Sequence, residues 1–548
     1  MKRLRPPQAI FVLTVTLLFA LILAGCAAPV AAPGAPAAEP GAAAPTGDRA
    51  STLIIAISED TASLDPARAF ETWPTTIHKA TYQTLVTFPP DSVETVIPSL
   101  AKSWDISEDG LTYTFTLDER AVFSNGDPVT AADVVFSFNR MRNITGNPSF
   151  LAETIDVVEA VDDSTVVLTL TQPDPAILAK LVFGAFSVVN KNEVTANGGT
   201  DAADAAETDA AEQWLNGHSA GSGPYVLEKW EPSVETVLVR NPNYWGEPAN
   251  FERVVLRNIP EAATQKIQLE AGDIDIAMDL SADQVVTLET NPNIAIFQGL
   301  SDTLVFVKGN LDPAIGGPAS DPKVMEAVRY ALDYEGLRAL GGGESVTPAS
   351  MLPVGFLGAL PANSGVTRDV EKAKALLDEA GYGEGLELQF AYPDFTFAGV
   401  NFGTFAQKIQ ADLNEAGFNV TLAPAEVQVA LENYRQGQEP FGLWLWLPDY
   451  RDSLDYVEFL PDGVVGNRLN WTSDNAAADI LALRDALKVE TDDPTRAAMF
   501  EEMQEYLLAQ GPYAAVIQPG IQIGLRADIE GFAYNPQWRT DVALIGRK

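Results

Sequence analysis

AKSWDISEDGLTYTFTLDERAVFSNGDPVTAADVVFSF, residues 101–138, holds the densest run of local signals in the chain. Glu108-Asp109-Gly110 reads as a tight turn. After it Tyr113, Phe115 and Leu117 alternate with Thr112, Thr114 and Thr116, the period-two pattern of a hairpin strand with one face inward. Asn125-Gly126 marks a second turn. Thr130-Ala131-Ala132-Asp133 then has the spacing of a capping box, with Thr130 as the cap and Asp133 as the acid three residues on. The helix it opens carries Val134, Val135 and Phe138.

On the N-terminal side of this segment, residues 53–58 read as a short apolar strand and SLDPARAFETW (63–73) as a loop. On the C-terminal side, GSGPYVLEKWEPSVETVLVRNPNYWG (221–246) places glycines and prolines around strands of period two. Residues 266–280 read as helix, glycine stop and short strand, and 304–307 as a further strand leading to Asn310. From Val324 the pattern becomes helix alternating with strand: helices over 367–380 and 402–416 stop at Gly381 and Gly417, a strand follows at 420–422, and a helix spans 427–435. Asp493-Pro494 opens a last long helix, closed by Gly511. Such alternation predicts a βα layer with a largely parallel sheet. The Ala- and acid-rich residues 201–213 predict a solvated helix or loop.

The stretch FGLWLWLPDYRDSLD (441–455) carries the candidate chemistry. Its alternation puts Leu443, Leu445 and Leu447 on one side of a strand and Trp444 and Trp446 on the other. Pro448 has no N–H and ends the ladder. Asp449, Tyr450, Arg451, Asp452 and Asp455 follow. One reading is a core strand with a polar loop. The other is an apolar slot of two indoles beside one carboxylate, suited to a solute with a cationic group and an organic body.

Lys2, Arg3 and Arg5 precede an apolar run over 9–23, then Leu23-Ala24-Gly25-Cys26. The run is shorter than the roughly 20 residues of a membrane span and ends in small residues, which predicts a secretory signal (1–25) cleaved before a lipidated Cys26, as in bacterial lipoproteins. Residues 26–50 are nearly all Ala, Pro and Gly and read as a tether. Cys26 is the only cysteine. The expected location is the cell envelope, outside the cytoplasm and lipid-anchored, in the periplasmic space if the host has an outer membrane. The 548 residues carry 35 Lys+Arg against 75 Asp+Glu, a net charge of −40. A surface this acidic repels nucleic acid and anionic headgroups, so no nucleic-acid partner is expected and the membrane is met only through the anchor.

Residues 101–137, GSGPYVLEKW with LVRNPNYWG, LEAGDIDIA, DVEKAKALLDEAGYGEG and WLPDYRDS together resemble the family 5 extracellular solute-binding proteins, the dipeptide-, oligopeptide- and nickel-binding proteins of ABC importers, in the family's own order. The resemblance implies an α/β fold of the periplasmic-binding-protein-like kind (type II, large variant), with two lobes joined by two crossing strands and a ligand cleft between them. It implies lobe I over 51–310 with an inserted subdomain at about 91–220, lobe II over 311–512, and a return of 513–548 to lobe I. Asp449 matches the position at which oligopeptide-binding members hold a peptide α-ammonium; where those members have Pro three residues after the Tyr, this chain has Ser453. Trp446, Trp444 and Tyr450 are carried as ligand-binding residues with it. Glu71 lies in a segment that approaches ligand in some members. Thr303 and Val305 lie in one that can pair with a peptide backbone. Asp452 is expected to face solvent.

The function expected is capture of short peptides and delivery to the transmembrane subunits of an ABC permease, by a monomer without cofactor or metal. An oligosaccharide or other non-peptide solute is the alternative, since sugars also stack on indoles. Nickel or a metal chelate is disfavoured, because His78 and His218 are the only histidines and such sites prefer imidazole or thiolate. An extracellular hydrolase is the distant alternative: nucleophilic catalysis pairs Ser or Cys with His, Cys26 is the lipidation site, and neither histidine is read as lying near a nucleophile-elbow pattern such as G-x-S-x-G.

Overall fold

The computed structural model describes residues 49–548 apart from 384, 398 and 399, so the signal, Cys26 and nearly all of the tether lie outside the described residues. Three sheets organise the rest. The first has seven strands in the order Ile294–Leu300, Gly520–Arg526, Ile276–Ala277, Thr52–Ile57, Arg253–Asn258, Glu235–Arg240 and Tyr225–Glu231. Thr52–Ile57 lies inside it, parallel to both neighbours. Its two faces feed two different cores, Leu53, Ile55 and Ile57 into one and Ile54 and Ala56 into the other. A strand buried on both faces has no polar alternation, which is why this one reads as an unbroken apolar run.

The inserted subdomain is a four-stranded antiparallel sheet in the order Ala101–Ile106, Thr112–Leu117, Thr165–Leu170, Ile155–Ala160. Tyr113, Phe115 and Leu117 point inward, as the alternation predicts. The capping box is formed: the Thr130 N–H donates to Asp133 Oδ2 at 2.9 Å, and the helix runs over Ala131–Ile144.

The second lobe is built on a five-stranded sheet in the order Phe418–Ala425, Leu386–Pro393, Phe441–Trp446, Leu304–Gly309, Tyr513–Ile517. Only half of it is parallel. Leu386–Pro393 runs parallel to both its neighbours, whereas Leu304–Gly309 is antiparallel to Phe441–Trp446 and to Tyr513–Ile517. The expected parallel layer therefore ends at the middle strand, because its neighbour enters from the other lobe instead of through a helical crossover.

The chain passes between sheets twice. Ile294–Leu300 and Gly520–Arg526 pair in the first sheet, and their continuations Leu304–Gly309 and Tyr513–Ile517 pair in the second. Between them Ser301 donates to Pro519 O from its N–H (3.0 Å) and its hydroxyl (2.8 Å), and Gln518 Nε2 donates to Ser301 O at 2.7 Å. The passage thus falls at 301–303 and 518–519, and the strands on either side of residues 310 and 512 belong to the second sheet.

Residues 201–213 are a largely exposed loop with a short helix at Ala205–Thr208, as expected, but the segment is anchored through one buried side chain. The side chain of Asp209 is buried and accepts Arg140 Nε at 2.8 Å and Nη2 at 2.9 Å, while the other edge of Arg140 grips both oxygens of Asp65 at 2.8 and 2.6 Å. One guanidinium thus ties this insertion and the loop after the first strand to the subdomain helix.

Candidate functional site

Phe441–Trp446 lies between two cores, and that decides where its indoles go. Leu443 and Leu445 pack with one cluster, Trp444 and Trp446 with the other. The Trp444 ring stacks on Tyr434 with centroids 4.3 Å apart at 15°, and its Nε1 donates to Glu439 Oε1 at 2.7 Å. That carboxylate also binds Lys308 Nζ at 3.0 Å. Trp444 is therefore a core residue. Trp446 Nε1 donates to Asp455 Oδ2 at 2.7 Å and its ring meets Phe459 edge-on. Neither indole lines the cavity beside Asp449, so the expected two-indole slot does not form. The alternation placed both rings on one face correctly but could not tell a second core from a cleft.

Val305 is also withdrawn from ligand. Its strand is paired on both edges, with Leu445 on one side and Ile517 on the other, so the strand has no open edge to offer a peptide. Thr303, in the crossing segment, is buried and lines a cavity of about 520 Å³ between the lobes.

The turn after the strand does reach that space. Leu447 to Arg451, with Asp302, line a cavity of about 190 Å³ whose opposite wall is Phe70, Glu71, Thr75 and Phe183, closed by Pro536 and Gln537 from the C-terminal return. Both cavities share Asp302, Leu447 and Pro536, so they adjoin as one cleft. Phe70 and Phe183, with ring centroids 5.6 Å apart, give it an apolar flank. Tyr450 is buried, and Lys180 of the inserted subdomain lies 4.9 Å from its ring centroid, which brings the lobes into contact here. The Arg140 clamp on Asp65 holds the loop that carries Phe70 and Glu71.

The cleft is acidic. Glu59, Glu71, Glu261, Asp279, Asp302 and Asp449 line it, against Arg451 and Arg539. Both cations are already matched: Arg451 Nε lies 3.1 Å from Asp302 and its guanidinium 3.5 Å from the Phe356 ring centroid, and Arg539 bridges Glu59 at 3.1 Å and Asp279 at 3.2 Å. Among the described residues, Asp449 and Glu71 are the carboxylates of the 190 Å³ cavity outside any ion pair; Glu261, on the wall of the larger cavity, is also unpaired but exposed. Glu71 accepts, among the described residues, the Thr61 hydroxyl at 3.2 Å and the Phe70 N–H at 3.3 Å. Burial, then the charge of Glu458, push the Asp449 carboxyl up to about 7, with Arg468 pulling the other way. Burial and the charge of Asp449 raise Asp455 further, although Asp455 Oδ2 accepts from Trp446. A carboxyl held half-neutral near pH 7 in an apolar setting lacks a counter-charge, and an ammonium group supplies one.

Asp452 does not face solvent. It caps the 3₁₀ helix Ser453–Phe459 by accepting the Leu454 N–H at 2.8 Å, and it pairs with buried Arg496. Ser453, at the position of the family's proline, donates to Leu357 O at 2.8 Å and anchors the turn by a different bond. The sequence reading missed Asp302, Arg539 and the C-terminal return as walls of the cleft. Arg539 stands at φ 64°, a left-handed conformation that no local pattern announces. The expectation that neither histidine lies near a G-x-S-x-G pattern is also wrong, since Gly217-His218-Ser219-Ala220-Gly221 has that spacing. That segment precedes a strand instead of joining strand to helix, Ser219 Oγ accepts the Leu227 N–H at 2.9 Å, and His218 stacks on Trp214, so no nucleophile elbow is formed. Among the described residues no group of three or more His, Cys, Asp or Glu is placed to hold a metal ion, and no helix is long and apolar enough to cross a membrane.

Two α/β lobes joined by paired crossing strands, with a solute-sized acidic cleft between them, define a two-lobed binding protein. The chain belongs to the bacterial extracellular solute-binding proteins, family 5, whose middle region matches residues 95–466. This is a family of solute-binding proteins, not of enzymes. The chain is 29% identical over 494 residues to a probable D,D-dipeptide-binding periplasmic protein of Escherichia coli (strain K12), covering 88% of this chain and 92% of that one. It is 27% identical to heme-binding protein A of Haemophilus influenzae, covering 83% and 84%. In fold it matches a periplasmic binding protein of Helicobacter pylori solved with the peptide STSA, with a TM-score of 0.74 at 24% identity over 90% of this chain and 98% of that one.

Proposed function

We propose that the protein captures short peptides in this cleft, seats their α-ammonium on Asp449, and delivers them to the transmembrane subunits of an ABC permease. The observation that carries this reading is the pair of lining carboxylates outside any ion pair, Asp449 and Glu71, facing each other from opposite lobes across about 190 Å³. Phe70, Phe183 and Tyr450 offer an apolar bed for a ligand side chain. The likeness to peptide-binding relatives points the same way. The oligosaccharide reading loses its main support, because Trp444 and Trp446 lie off the lining.

Ligand binding then draws the lobes together about the crossings at 301–303 and 518–519, and small-angle scattering with saturating peptide reads a smaller radius than without it. The domain division follows the sheets, with 101–170 as the core of the inserted subdomain. The chain acts as a monomer anchored through a lipid on Cys26; Cys26→Ser releases it from the membrane fraction or leaves it unprocessed, and unchanged attachment overturns the anchor.

The deciding test is titration of one dipeptide and its N-acetyl derivative into the parent and Asp449→Ala. Acetylation and truncation each remove one partner of the same pair and weaken binding by roughly 30- to 4,000-fold, about 2–5 kcal/mol. Equal binding of both ligands refutes the ammonium seat.

A further inference from the structure

The second lobe contains another cavity, of about 390 Å³, that shares no lining residue with the cleft. It lies beside the helices Pro322–Ala331 and Tyr334–Gly341, with the segment around Thr347 opposite. In a chain of net charge −40, three arginines converge on it: Arg329, Arg338 and Arg368.

Arg368 is spoken for, with Glu415 at 2.8 Å and Asp412 at 3.7 Å. Arg329 is not. Its residue is only 2% exposed, one nitrogen, Nη1, donates to Gly511 O at 3.0 Å and Tyr513 O at 2.9 Å, and Nε and Nη2 have no hydrogen-bond partner. Burial depresses its pKa, with Tyr334, Glu326 and Tyr330 opposing only in part, and Glu326 itself lies 3.6 Å from Lys372. A guanidinium stays protonated in proteins, and a buried charge is ordinarily paired. Arg338 reaches only the Thr347 hydroxyl, at 3.1 Å. Among the described residues, neither Arg329 nor Arg338 is in an ion pair. The acids on the lining do not supply the missing charge. Asp333 is held by Lys408 at 2.8 Å and by the Gly336 N–H at 3.1 Å, and Glu335 is exposed.

We propose that this cavity is a second binding site, for a small solute that bears a carboxylate or phosphate group, with Arg329 and Arg338 as its counter-charges and Thr347 beside them. An oxyanion takes the planar fork of Arg338 two bonds at a time, with the buried charge of Arg329 behind it, and the volume is at the small end of solute pockets, which run from about 300 Å³ upward.

The test is isothermal titration of the purified full chain with inorganic phosphate and, separately, with succinate, against sodium chloride at matched ionic strength. Probe concentrations on the order of 10 mM saturate a site with a Kd near 1 mM. Saturable binding of either probe, weakened at least tenfold in Arg338→Gln while binding of a dipeptide in the cleft is unchanged, supports the site, and which probe binds assigns the group. Arg329→Met gives the same loss where it folds; Arg338, half-buried and outside the core clusters, decides the matter if it does not. Absence of saturable binding with both probes overturns the proposal, as does binding that survives Arg338→Gln.

Discussion

A peptide that binds through its ammonium must find Asp449 ionised, and burial with the charge of Glu458 pushes that carboxyl up to about 7. Below this value each ligand displaces one proton, so affinity falls roughly tenfold per pH unit and is about 100-fold weaker at pH 5 than on the plateau. The falling side belongs to the ligand: a peptide α-amino group titrates at about 7.7–8.0, and above that the ammonium is lost. The profile is therefore a bell with its maximum between these limits, and its acid limb belongs to Asp449, the carboxyl that meets the ammonium. Isothermal titration from acid to mildly alkaline pH, in buffers of different ionisation enthalpy, measures both the affinity and the proton released. Asp449→Asn removes the acid limb, keeps the alkaline one, and binds more weakly throughout. An affinity that is flat from pH 5 to 7 in the parent, or an acid limb that persists in Asp449→Asn, refutes the argument.

Three further changes test the surroundings of the cleft. Asp452→Ala uncaps Ser453–Phe459 and leaves Arg496 with only the exposed Asp493 at 3.0 Å, so thermal unfolding followed by circular dichroism reads a loss of about 2–4 kcal/mol. Arg140→Ala strands Asp65 and Asp209 in the interior with only Arg68 nearby, at 3.6 and 3.3 Å; it costs about 3–5 kcal/mol and weakens peptide binding as the loop of Phe70 and Glu71 loosens. Trp444→Phe deprives Glu439 of its indole donor and costs about 1–3 kcal/mol in urea unfolding, while peptide affinity, read by titration, is unchanged because the ring lies off the cleft.

What the sequence made legible was whatever local chemistry controls. The turn at Gly110 needs its φ of 69°, the Thr130–Asp133 box needs two residues three apart, and the helix Val427–Arg435 needs a periodic face; each is written within a few residues. The order of such segments carried the family as well. The half-parallel second sheet was not legible, because Leu304–Gly309 and Phe441–Trp446 are adjacent in space and more than a hundred residues apart in the chain. The same distance hid Arg539 against Glu59.

The site was legible only in part for a related reason. Alternation assigns side chains to faces but says nothing about what each face meets, and in a sheet covered on both sides an apolar residue is uninformative. Trp444 and Trp446 looked like a binding surface because indoles serve for both packing and recognition, and Glu439 and Asp455, which occupy their N–H groups, are 5 and 9 residues away in the chain. Asp449 stood out for a better reason. A carboxylate directly after a strand-ending proline can be neither a strand residue nor a core residue, so its burial has to be explained by something other than packing. Asp452, three residues on in the same turn, is withdrawn from solvent too but has Arg496, 44 residues away, to answer its charge. Between Asp449 and Asp452 the difference is thus the presence of a distant guanidinium. Composition makes that partner scarce: with 35 basic side chains for 75 acidic ones, most carboxylates must rely on water, and one that lies between lobes without an ion pair is the exception that a cationic ligand can complete.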